Sequence, residues 1–162
     1  MLLESTTLAT AFRYLADSLR QDYGLDPAPL FRQAGVSLAG TRESGHRLPQ
    51  RATRRLWELA IAATSDAAIG LKVGRRIRPE GLHALGYAWM SSTLADALRR
   101  FARYAHVLVT VPATVEVTSS DTGCQLTAVY PDPAHQPHEA GLDATLLGLL
   151  TLGSQAAGHP LR

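Results

Sequence analysis

Apolar positions recur along this chain of 162 residues with two different periods, and the switch between them sets the expected architecture. Leu8, Phe12, Leu15 and Leu19 are spaced four, three and four residues apart, one stripe of a helix over residues 6–23. Gly24 ends it, because glycine adopts a left-handed cap at the lowest cost. A short helix follows, with Asp26 suited to the N-cap, Pro27 to the first helical position and Gly35 to the close of "PAPLFRQAG". Residues 38–45 are rich in Gly, Ser and Thr and read as a loop. "HRLPQ" reads as a brief extended piece, since a residue before proline avoids the helical region.

From residue 50 to 64, Leu56, Trp57, Ala60 and Ile61 face one way, with Arg51, Arg54, Arg55 and Glu58 mostly elsewhere. Asp66 is placed to cap a short turn that ends near Gly74. Pro79 and Glu80 suit the first turn of another helix through "GLHALGYAWM", which Ser91, Ser92 and Thr93 interrupt. Thr93 and Asp96 resemble a capping box, although Glu or Gln is the better partner. The helix they start puts Leu94, Ala97, Leu98, Phe101, Ala105 and Leu108 on one broad face.

The period then falls to two. In "ATVEVTSSDTGCQLTAVYPD", Val115 and Val117 share a face, as do Leu126, Ala128 and Tyr130 after Asp121, Thr122 and Gly123. That alternation predicts a β-hairpin with a loop longer than the two-residue minimum. A proline-rich loop leads to a last helix over residues 139–157, with Leu142, Leu146, Leu149 and Leu150 expected inward. The expected fold is α+β, with about six helices packed on a small antiparallel sheet that contains the 114–130 hairpin. A lone hairpin is marginal in water. Either the helices cover it, or further strands lie in sequence beyond Arg162, so the chain reads as a fragment.

Length fits one domain over residues 1–162, enough to bury a core. No window approaches the run of about 18 apolar residues that a membrane span needs. The N-terminus lacks the charged start and small-residue cleavage site of a signal peptide, so the expected location is cytoplasmic. A single cysteine, Cys124, excludes an internal disulfide framework and any paired-cysteine metal or redox motif.

The formal charge is +2, with fifteen arginines to one lysine. Acidic and polar residues are interspersed among the arginine groups, so the basic excess is weaker than a DNA-reading domain usually shows. Catalysis finds no clear candidate. There is no G-x-S-x-G turn, Ser91 and Ser92 sit where capping residues are expected, and no carboxylate pair is placed for acid–base work. His135, His138 and Glu139 have a spacing that suits metal only on a helical turn, and Pro137 disfavours one there. "IGLKVGRRIRPEG" has glycines and arginines but no phosphate-cradling motif, and solvated charge explains it more simply. No cofactor or metal is expected. Trp57, Tyr87, Trp89 and Tyr104 supply the mixed apolar and polar surface of a small-molecule pocket, although core packing explains any one of them as well.

The ordered set "RLP" at 47–49, "LW" at 56–57, "DAAIGLKVG" at 66–74, "LGY" at 85–87 and "SSTLADALRRFARY" at 91–104 resembles a known family. It is similar to the N-terminal effector domain of one large branch of AraC-type transcriptional regulators, to which "DPAPLFRQAGV" also corresponds. "M-S-S-T-L" is tighter than that branch's usual "S-S-x-T-L". The domain is called arabinose-binding, but the arabinose regulator itself uses a cupin-like barrel, and this sequence does not read as one.

The resemblance implies a regulatory, ligand-sensing domain without enzymatic activity, partnered by a small-molecule effector. DNA would be reached only through a C-terminal helix-turn-helix domain beyond Arg162. Expected pocket residues are Trp57, Tyr87 and Tyr104 as walls, with Arg78 and His83 as orienting groups. Homodimer formation is a further expected partnership, with no membrane contact. Two other readings stay open: a ligand-independent dimerisation module, and a small stand-alone enzyme.

Overall fold

Thr6 and Thr7, β-branched and followed by Leu8, form a strand instead of the first turns of a helix. The structure, a computed structural model, describes residues 4–121 and 123–161, and of His83 and Ala84 the backbone alone. Strand β1 (Thr6–Leu8) pairs antiparallel with β2 (Arg47–Pro49), with Thr7 opposite Leu48. On its other side Leu8 N–H donates to the Leu108 carbonyl at 2.9 Å, and Thr110 N–H to that of Thr6 at 2.9 Å. The expected helix over residues 6–23 is therefore cut back to α1 (Ala11–Tyr23). Leu8 is buried in the strand, as the expected helix stripe would also require, so apolar spacing could not separate strand from helix here.

Helix α1 ends at Gly24, which takes the left-handed conformation at φ 64°. Helix α2 (Ala28–Gln33) begins after Pro27, and Asp26 Oδ1 accepts from Ala28 N–H at 3.0 Å. After a 3₁₀ turn over Ala39–Arg42 and strand β2 come α3 (Gln50–Thr64) and α4 (Ile69–Gly74). The expected helix after Pro79 is a long 3₁₀ run, Pro79–Met90. Helix α5 (Leu94–Tyr104) and a 3₁₀ turn over Ala105–Val107 precede the hairpin.

Strands β3 (Thr114–Ser120) and β4 (Gly123–Val129) pair in register from Thr114 opposite Val129 to Ser120 opposite Gly123. Pairing thus runs further toward the turn than the alternation implied, and Thr122 lies outside the described residues. Val115, Val117 and Leu126 are half-buried, and α5 covers that face, with Arg99 Nη2 donating to Ser119 Oγ at 2.8 Å. Each sheet has two strands among the described residues, and α+β describes the whole. No described helix is long and apolar enough to cross a membrane.

Helix α6 (Glu139–Ala157) spans two apolar cores. Its Ala140 and Ala144 join Phe12, Leu15, Phe31, Leu56, Trp57 and Ile69 in the first. Leu152 joins Leu82, Leu85, Trp89 and Phe101 in the second, and Ile77 packs against both. The expected inward leucines need correction, for Leu146 and Leu150 are 53% and 47% exposed. Ala140, Ala144, Gly148 and Leu152 are buried instead. A helix apolar on nearly every side does not fix its own rotation. Gly70 decides it, because a Cβ there would lie 2.1 Å from the Ala140 carbonyl oxygen. The "IGLKVG" glycines thus serve backbone approach between α4 and α6.

A second close approach fixes the 3₁₀ run. A Cβ on Gly81 would lie 1.8 Å from the Tyr14 hydroxyl. That hydroxyl accepts from Arg78 N–H at 3.2 Å and lies 3.3 Å from the Arg78 carbonyl, so α1 clamps the start of the segment.

Candidate functional site

The helix cap expected at Thr93 forms and sets the phase of α5. Thr93 Oγ1 accepts from Asp96 N–H at 3.1 Å and donates to Asp96 Oδ2 at 2.8 Å. That hydroxyl contact, with Arg99 behind it, holds the Asp96 carboxyl below the usual carboxylate range. With the helix so phased, Ala97 and Phe101 turn into the second core, where Phe101 meets Trp89 at 6.4 Å between ring centroids. Arg100 and Tyr104, one turn apart, are left at the edge of that core.

The Pro79–Met90 run passes beside this edge. Leu85 and Ala88 are buried and Tyr87 stands 71% exposed. With Arg100, Tyr104 and Val107 they line a groove of about 290 Å³. Its base is apolar, its walls carry two phenol rings, and one guanidinium stands at it. Tyr104 is 48% exposed, and Arg103 lies with its guanidinium carbon 5.8 Å from the ring centroid. Arg100 has no carboxylate within ion-pair distance among the described residues.

Behind the groove, Arg47 of β2 holds the Val107 end. Its Nη1 donates to the Val107 carbonyl at 2.9 Å and its Nη2 to that of Leu108 at 3.3 Å. Nε reaches Thr6 Oγ1 at 2.7 Å, and Nη2 lies 3.3 Å from the Thr6 carbonyl. One side chain thus joins the N-terminal sheet to the groove wall.

Of the five residues expected from sequence, Tyr87 and Tyr104 come together in this groove. Trp57 lies in the first core, 6% exposed, with its ring 5.9 Å from that of Phe12, and does not line the groove. Arg78 sits at the start of the 3₁₀ run and donates from Nη1 to the carbonyls of Arg75 and Ile77 at 2.9 and 3.0 Å. The side chain of His83 lies outside the described residues. Sequence reasoning missed Arg100, Leu85, Ala88 and Val107. The four-residue step from Arg100 to Tyr104 was the available signal for the first of these.

The histidine pair near α6 has local structural work. His135 Nδ1 lies 3.0 Å from Asp132 Oδ2, and His138 Nδ1 accepts from Ala140 N–H at 3.2 Å as the cap of α6. Among the described residues no group of three or more His, Cys, Asp or Glu side chains is gathered to hold a metal ion.

Residues 24–162 match the family model described as the arabinose-binding domain of AraC transcription regulators, N-terminal. No curated protein matches the chain.

Proposed function

The chain belongs to the family of N-terminal arabinose-binding domains of AraC transcription regulators, and from that premise we propose that it senses its effector in the Tyr87–Tyr104 groove. The family is regulatory and ligand-sensing, and its work is transcription control. Residues 1–162 act as one sensing domain in this reading. Its support is that α1, which lies before the matched stretch, shares a core with Trp57 and Ala140. DNA recognition in the cytoplasm falls to a separate helix-turn-helix domain of the regulator.

The observation that carries the site is a pair of exposed tyrosine rings flanking an apolar base, with an unpaired arginine beside them. Exposed apolar surface gathered into a concavity is a binding feature. Leu85, Ala88 and Val107 favour an apolar-bodied ligand over a sugar, whose hydroxyls would each need a partner. Arg100 suits an acid group on that body. Occupancy shifts the domain between two arrangements to the extent that the ligand prefers one. Arg47 is the proposed link, since it binds both the groove wall and β1.

A thermal-shift screen of aromatic and branched-chain carboxylates tests this. A ligand at about 100 times its dissociation constant adds roughly 2.7 kcal/mol of stability. Tyr87→Ala and Tyr104→Ala are expected to abolish that gain. A genuine hit that both variants leave unchanged removes the site assignment.

Dimerisation is a second reading, favoured by the exposed Leu146 and Leu150 of α6. A concentration-dependent dimer in sedimentation that Leu146→Gln and Leu150→Gln dissolve, with no ligand found in the screen, would replace sensing with assembly.

A further inference from the structure

A second concavity, away from the tyrosine groove, gathers unneutralised positive charge. A depression of about 310 Å³ runs between α1 and the Ala39–Arg42 turn and shares no lining residue with that groove. Its base is Ala16 and Leu38, and Arg13, Arg20 and Arg42 stand around it with Asp17 as the lone acid. Three guanidinium groups against one carboxylate leave an excess of two positive charges. The whole chain carries a formal +2, so this depression holds as much excess as the entire molecule.

Little of that charge is committed. Arg20 Nη1 sits 3.4 Å from Asp17 Oδ1, a pair with side chains 41% and 35% exposed. Such a surface pair is weak and open to exchange. Arg42 is exposed, and neither it nor Arg13 has a carboxylate within ion-pair distance among the described residues. Arg13 instead lies with its guanidinium carbon 5.3 Å from the Tyr14 ring centroid, partly desolvated and held near the surface of α1. Elsewhere Arg51, Arg55, Arg76 and Arg99 pair with an acid. Arg75, Arg78, Arg100 and Arg103 have none within ion-pair distance among the described residues, and they do not line this depression.

We propose that this depression between α1 and the Ala39–Arg42 turn binds a compact organic polyanion, held by Arg13, Arg20 and Arg42 over the apolar base. The shared chemistry is several acid oxygens on a short carbon skeleton, as in a tricarboxylate or a phosphorylated metabolite. Guanidinium forks match carboxylate and phosphoryl oxygens equally well. The volume is at the small end for ligand sites and suits a small metabolite. Duplex DNA is a poorer fit, because its phosphates call for a basic stripe along an outer face, and these arginines converge on a hollow.

Isothermal titration of the chain with citrate, with fructose 1,6-bisphosphate and with inorganic phosphate, each at matched chloride ionic strength, tests the site. Saturable binding of one equivalent of citrate or of the bisphosphate is expected. Citrate alone points to a carboxylate ligand, and the bisphosphate alone to a phosphorylated one. Arg42→Gln, whose side chain is exposed, and the pair Arg13→Gln with Arg42→Gln should weaken binding by about tenfold or more, as loss of charged hydrogen bonds does. Arg51→Gln, which removes a partner of Glu4 elsewhere, should leave it unchanged. Absence of saturable binding by the unaltered chain overturns the proposal, whatever the variants do. So does binding that Arg42→Gln leaves intact, binding of inorganic phosphate alone, or binding that Arg51→Gln weakens equally.

Discussion

Arg47 Nη1 donates to the Val107 carbonyl at 2.9 Å, so the wall of the tyrosine groove hangs from the same arginine that holds β1. Arg47→Ala removes contacts to Thr6, Val107 and Leu108 together, at an expected cost of about 1–3 kcal/mol in urea denaturation. Arg47→Lys should recover less than half of the loss, because one ammonium cannot reproduce the planar fork. A lysine variant as stable as the parent would show that these contacts carry little.

Gly70 has no room for a side chain against α6. Gly70→Ala is expected to cost about 2 kcal/mol or more, since the added methyl meets backbone and not a movable side chain. Ala140→Gly should fail to rescue it, because the obstructing atom is a carbonyl oxygen that glycine also carries. Thermal melts of the single and double variants give the answer, and a rescue would mean the helices separate easily.

The cap on α5 also has a defined worth. Thr93→Ala is expected to cost about 1 kcal/mol and Thr93→Ser much less, since serine keeps the hydroxyl that accepts from Asp96 N–H. If Tyr104 depends on the phase of α5, ligand affinity at the groove falls in the alanine variant and not in the serine variant.

Acid should weaken the link between α1 and the segment after α4. Asp22 Oδ2 accepts from Arg76 Nε at 3.1 Å and from Ser18 Oγ at 2.7 Å. The Arg76 contact, the largest cause, holds the carboxyl below its usual 3.8. A carboxyl lowered in the folded state adds stability that is fully present above about 3.8 and fades as pH falls through the folded value. Stability measured by urea midpoint should therefore fall below pH 3.8, and Asp22→Asn should flatten part of that slope. Asp66 and Asp96, also lowered, leave the remainder. An unchanged slope in Asp22→Asn would assign the effect elsewhere.

The amino-acid sequence determined what local chemistry can determine. Gly24 and Thr93 marked helix ends because a left-handed cap and a capping hydroxyl act within a few residues. Alternation placed the hairpin, and the helix over Glu139–Ala157 was legible to the residue. In the groove, Tyr87 and Tyr104 could be named from residue type, but nothing in their spacing says that a 3₁₀ run lays one beside the other. Tertiary structure decided the rest. Leu8 became strand because β2 and Leu108 offered hydrogen bonds from distant sequence. Helix α6 turned its alanines inward because Gly70 lets its backbone come close, a choice between two apolar faces that hydrophobicity alone leaves degenerate. Arginines dispersed along the chain gained their separate meanings only from which acids folding brought near them, since ion pairing depends on distance in space and not on order in sequence.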